Sequence, residues 1–198
     1  MKSIKREMEN LIEINKSKFI GIAFPIFSLD DAKIKLSQLS EKYKDATHIC
    51  YAYTFNGNLE KCSDDGEPSG TAGKPILEIL KKRKLDNVLL CVVRYFGGVK
   101  LGAGGLVRAY SNSACAVLDL CEVVEFVKYD LYQMFVDMKT ASSLEKMFKN
   151  DDFVRDLSVD YASYLLDKVC VQFKIKCGEL PPNSLKSATL MKAVVTGE

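Results

Sequence analysis

The residues best equipped for chemistry in this 198-residue chain fall between His48 and Tyr110. Asp64, Asp65 and Glu67 place three carboxylates within four positions, and oxygen ligands of this kind suit Mg²⁺ held with water. The same spacing suits an Asx-turn in which Asp64 or Asp65 accepts local N–H groups, and that structural reading is preferred. His48 is the sole histidine. It lies two residues before Cys50 on a predicted strand, so both side chains point to one face. A Cys/His nucleophile or part of a metal site is conceivable there, but no orienting third group lies nearby in sequence. A hydrogen bond between His48 and Asp64 or Asp65 is the favoured structural alternative.

Eight of the twelve glycines (66, 70, 73, 97, 98, 102, 104 and 105) share this block. They occupy two loops, Asp64 to Lys74 and Gly97 to Gly105, that run into predicted helices starting at Pro75 and near Gly105. Free amides and the helix dipole at such starts favour an anion. The candidate anion- or RNA-binding set is therefore Lys74, Arg94, Tyr95, Gly97, Gly98, Lys100, Gly102, Gly104, Gly105 and Arg108. Tyr95, Phe96 and Tyr110 flank these cations with rings that could stack bases, although Tyr110, two residues after Arg108 on the helix, does not share its face. Tyr95 and Phe96 adjoin on a strand, so at least one is expected in the core. Glycines between a strand and a helix equally serve tight packing, and both readings stay open. Two familiar phosphate loops fail: Gly97-x-x-x-x-Gly102 is followed by Ala103-Gly104 where a Walker loop needs Lys-Ser/Thr, and Gly102-x-Gly104 is followed by Val107 where the dinucleotide fingerprint needs a third small residue.

The elements that must position these residues follow from patterning. Asn15 to Ile26 is predicted as the first strand, Leu29 to about Lys44 as a helix and Thr47 to Phe55 as a strand closed by Asn56-Gly57-Asn58. A helix from Pro75 to about Lys84 precedes Asn87 to Phe96, whose unbroken apolar run suits a strand buried on both faces. Leu106 to Leu120 is predicted as a buried helix. Beyond Val127 the pattern is a strand (128–136), a short helix (140–149), two strands (153–161 and 165–176), a weak helix and an apolar tail at 193–195. That β-α-β-β-α-β order suggests a ferredoxin-like unit. The expected fold class is α+β, with domains at 1–126 and 127–198.

Bulk properties exclude little. The chain carries 28 basic and 26 acidic residues, formally +2. From Asp64 to Arg108, eight Lys/Arg against five Asp/Glu leave +3, although Lys81 to Lys84 suits a solvated helix end. Polyanion binding must therefore rest on local clustering. No run of about 18 apolar residues suggests a membrane span. Seven cysteines with no C-x-x-C pair and no apolar leader suggest reduced thiols and a cytoplasmic location.

The runs DDGEPSGTAGKPIL (Asp64 to Leu77) and VVRYFGGVKLGAGGLVRAYSNSA (Val92 to Ala114) resemble the signature of the IMPACT/YigZ (UPF0029) family. Lys16 to Gly21 (KSKFIG) and Asp45 to Tyr53 (DATHICYAY) match in kind and order, so the likeness covers roughly residues 15–120. Val93 stands where relatives commonly carry Thr. The resemblance implies a first domain like the second domain of ribosomal protein S5 and a second like domain V of elongation factor G. Eukaryotic relatives bind a regulator of a translation-initiation kinase and are linked to ribosomes. It therefore implies a non-enzymatic, translation-linked protein recognising RNA, a ribosome or a translation-regulatory protein. An enzyme for a phosphorylated small molecule, possible with Mg²⁺, and a purely protein–protein regulator are the alternatives.

Overall fold

A computed structural model describes residues 1–149, 151, 153–165, 168–176 and 179–197. The chain divides into two compact units, Met1–Glu125 and Phe126–Glu198. The first contains β1 (Lys2–Ile4), β2 (Met8–Ile14), β3 (Ser17–Pro25), α1 (Leu29–Lys42), β4 (His48–Phe55), β5 (Leu59–Ser63), α2 (Gly73–Lys82), β6 (Val88–Tyr95) and α3 (Gly102–Leu118). Five of its strands form an antiparallel sheet in the order β2-β3-β6-β4-β5.

The central strand explains both cores. Along β6, Val88, Leu90 and Val92 alternate with Leu89, Cys91 and Val93, so neighbours leave opposite faces of the pleat. The first set packs with Ile76 and Leu80 of α2 and Leu106, Ala109 and Val117 of α3. The second packs with Ala32, Leu39 and Tyr43 of α1. An unbroken apolar run is thus buried on both sides here in an antiparallel sheet. α1 is stopped cleanly at its start by Ser28, whose hydroxyl accepts from the Asp31 amide.

The strand expected from Asn15 begins instead at Ser17, and Asn15-Lys16 is a two-residue hairpin turn with φ of 49° and 66°. Both positive angles fit a type I′ turn. The missed partner, β2, pairs Met8–Ile14 with Ser17–Ala23 at the sheet's edge. Helix α3 also begins earlier than expected, at Gly102, so Gly102, Gly104 and Gly105 are its first turn and not a loop.

The second unit is built from β7 (Val123–Val136, which pairs with β1 through Val123–Glu125 before the boundary), α4 (Met138–Met147), β8 (Val154–Leu165), β9 (Lys168–Lys176) and β10 (Thr189–Gly197). Its strands are antiparallel in the order β10-β7-β9-β8. Tyr132, Met134, Val171 and Phe173 form its core with Ala141 and Leu144 of α4. The expected last helix is a 3₁₀ turn, Asn183–Leu185, and the apolar tail belongs to a full strand, β10. Cys177 lies outside the described residues; the other six cysteines are free. Among the described residues, no helix is long and apolar enough to cross a membrane.

Gly97 locks the β2–β3 turn against the loop before α3. A Cβ at this position would lie 2.1 Å from the Lys16 carbonyl carbon and oxygen, both backbone atoms. Gly97→Ala is therefore expected to cost about 3 kcal/mol, read as a lower Tm. Gly98→Asn, at φ +83° with open space around it, is expected to cost under about 1 kcal/mol.

Candidate functional site

Asp64 sits at the centre of the acidic turn. Its carboxylate accepts from the amides of Gly70 (2.8 Å), Ala72 (3.0 Å) and Gly73 (2.8 Å). Burial works against the ionised carboxyl, but these three donors outweigh it and hold the pKa below the usual carboxylate value. The start of α2 is thus occupied by the chain's own anion. Gly73 permits this packing, since a Cβ there would meet the Ser63 backbone at 2.6 Å. Lys74, in the first turn of α2, is exposed.

Asp65 and Glu67 turn to different tasks. Asp65 Oδ2 accepts from the Ile49 amide at 2.6 Å, and its carbonyl oxygen lies 2.7 Å from His48 Nδ1. The His48 link to this turn therefore runs through a backbone carbonyl. Glu67 is buried, and its Oε1 takes Arg94 Nη1 at 2.5 Å and the Tyr110 hydroxyl at 2.8 Å. His48 Nε2 stands 3.9 Å from the same oxygen. With each carboxylate engaged separately, the three do not converge on a cation. Among the described residues, no group of three His, Cys, Asp or Glu side chains is disposed to hold a metal ion.

The Cys50 thiol donates to the Asp64 carbonyl at 3.0 Å and lies 3.4 Å from the Tyr110 hydroxyl. Burial, reinforced by Glu67, Asp65 and Asp64, pushes it up to about 12, which opposes the thiolate a nucleophile requires. Burial first, then Cys50 and Glu67, also raises the Tyr110 phenol. Tyr110 is fully buried edge-on against Phe19, with ring centroids 5.3 Å apart, so it offers no face to a base.

Arg94 is also buried. Its guanidinium lies over the rings of Phe19 (5.5 Å) and Phe96 (5.4 Å) as well as on Glu67. Of the adjoining pair, Tyr95 is half-buried against the α1-side core with its hydroxyl bonded to Asp45, and Phe96 is 46% exposed.

Two cavities adjoin Phe96. One, of about 380 Å³, is lined by His48, Glu67, Arg94, Lys100 and the first residues of α3, Gly102 and Ala103. The other, of about 390 Å³, is lined by Leu11, Lys16, Lys18, Ile20 and Tyr95. Arg108 and Gly105 line a smaller one of about 230 Å³. The structure therefore brings Arg94, Lys100 and Gly102 together, sets Arg108 in a different cavity and leaves Lys74 on another helix. Of the basic run counted on α2, Lys81 pairs with Glu60 and Arg83 with Asp119. Lys16 and Lys18 were not singled out from the sequence. Only the hairpin turn, with no glycine to mark it, brings them beside Phe96.

The α-helix starts differ. Ser28 caps α1, Asp137 caps α4 and Asp64 takes the α2 amides. At α3 the N-cap is Leu101, no side chain caps it, and no acidic residue lies in the first turn.

A family model for the Impact N-terminal domain matches residues 15–118. This chain belongs to the IMPACT family. It is 36% identical over 173 residues to IMPACT family member YvyE of Bacillus subtilis (84% of this chain, 80% of that one). It is 29% identical over 184 residues to YigZ of Escherichia coli (88% and 90%). A crystal structure of a hypothetical protein aligns over 88% of this chain and 84% of its own at 27% identity, with a TM-score of 0.68.

Two outcomes follow from these contacts. Asp64→Ala is expected to lose about 2 kcal/mol. Because the folded pKa is depressed, that stability is present above about pH 4, the unfolded value, and fades as pH falls through the folded one; thermal melts from pH 7 to pH 2 should show the gap to wild type closing. In native protein at pH 8, mass spectrometry should show iodoacetamide alkylating exposed Cys62 well before Cys50.

Proposed function

We propose that this chain is a non-enzymatic, translation-linked protein that binds RNA on the surface around Phe96. The observation that carries this is the open start of α3, an uncapped anion-accepting helix end, beside exposed Lys100, Lys16 and Lys18 and the half-exposed ring of Phe96. Backbone amides and lysines take phosphates, while an aromatic face stacks a base of any sequence. The link to translation comes from what family membership implies. Binding is favoured over catalysis because Cys50 and Tyr110 are held protonated and Asp64 is spent on amides.

The finer fold assignments belong to the same reading. The first unit is of the kind found in the second domain of ribosomal protein S5. The second is ferredoxin-like, similar to domain V of elongation factor G; its strand order β10-β7-β9-β8 supports this.

Arg94 is a poor test of this surface, since removing it strands Glu67 and is expected to cost about 3–5 kcal/mol. The exposed lysines are better. Lys16→Ala/Lys18→Ala/Lys100→Ala should fold as wild type, weaken single-stranded RNA binding at least tenfold in about 100 mM salt and flatten the log Kd against log salt slope by about 2. Wild-type affinity and slope in the triple variant would sink the proposal.

A further inference from the structure

The 380 Å³ cavity has the build of a ligand site and not of a flat phosphate track. Its lining includes Pro68, Phe96, Leu101, Ala103 and Leu106, so it is largely apolar with a few polar groups. Among the polar groups is Arg94, whose side chain is 6% exposed. Among the described residues, Glu67 is the one acceptor on its guanidinium, through Nη1, and Nε is buried without a partner. Arg94 lines the cavity, and the Nη donors that Glu67 leaves unused suit an acceptor brought by a ligand. The same cavity is lined by the first residues of α3, a 17-residue helix with no side-chain cap. Two cations, Arg94 and Lys100, against the one carboxylate of Glu67 leave a net positive charge that favours an anion.

These features act on one object: a small molecule with an anionic head of several oxygens and a flat apolar body. We propose that this cavity is a site for a single nucleotide bearing a phosphate monoester, its phosphate at the start of α3 beside Arg94 and Lys100, its base against Phe96 and Leu101. This rests on the RNA-binding reading of the same surface and deepens it, because a bounded pocket takes a phosphorylated end more readily than a continuous strand. A free mononucleotide and the 5′-phosphorylated end of an RNA present the same chemistry.

Titration calorimetry separates the possibilities. The probes are the four nucleoside 5′-monophosphates, the matching nucleosides, inorganic phosphate, and one eight-nucleotide RNA with a 5′-phosphate or a 5′-hydroxyl. At least one monophosphate is expected to bind tenfold or more tighter than both its nucleoside and inorganic phosphate. Ala103 is exposed in the first turn of α3, so Ala103→Glu adds a carboxylate that suits the helix dipole and competes with phosphate. That variant should keep or raise Tm while losing at least tenfold in monophosphate affinity, an effect no loss of structure can mimic. Monophosphates that bind no tighter than nucleosides, or an Ala103→Glu protein that binds them as wild type does, would overturn the proposal.

A tenfold gain from the 5′-phosphate on the RNA assigns the source to RNA ends; monophosphate binding without that gain assigns it to free nucleotides. If 5′-hydroxyl RNA binds through Lys16 and Lys18 but monophosphates do not bind, this inference falls and the RNA reading stands. If monophosphates bind and no RNA does, the reverse holds.

Discussion

Glu67 and Arg94 meet where water is excluded, with side chains only 3% and 6% exposed. Each charge gave up several kcal/mol of hydration to be there, and only a complete set of partners returns it. The Tyr110 hydroxyl completes the set on the same carboxylate oxygen, and the Phe19 ring lies against both Arg94 and Tyr110. The pair therefore ties the acidic loop, the end of β6 and the middle of α3 into one geometry. Losing any member leaves a buried polar group stranded, so the back wall of the cavity beside Phe96 has little freedom to reshape.

That constraint changes the meaning of the basic residues. A cation at the end of a strand, next to glycines, invites a role in contacting phosphate directly. In the fold Arg94 is first an internal counterion, with donors left over on one side. The exposed positive charge falls instead to Lys100 and to Lys16 and Lys18 across the sheet.

Much of this was legible in the sequence. The apolar run of β6, the start of α1 at Ser28-Leu29-Asp30 and the turn at Asn56-Gly57 carry local signals strong enough to place those elements. The preference for Asp64 as an acceptor of local amides also follows from its side chain and its neighbours. What escaped depends on distant pairing. β2 mixes Glu9 and Glu13 with Leu11 and Ile12, and it becomes a strand by pairing with β3 through a turn that lacks glycine. β10 looked like a short tail because its length is set by β7. Tyr110 was misjudged because a helix position two residues from Arg108 says nothing of what covers it; Phe19 does. Lys16 and Lys18 reach the site only through a long-range register, Lys18 opposite Tyr95.

The carboxylate of Asp64 at the start of α2 bears on how the two helix ends divide their work. A group tethered a few residues away, already held in place by the loop, acts at an effective concentration far above that of any diffusing phosphate. Helix α2 is in that sense permanently saturated by an inhibitor written into its own loop. Helix α3, of the same polarity and in the same unit, has no such tethered competitor. The two helix starts thus differ in occupancy: one carries the chain's own carboxylate and the other no side-chain cap.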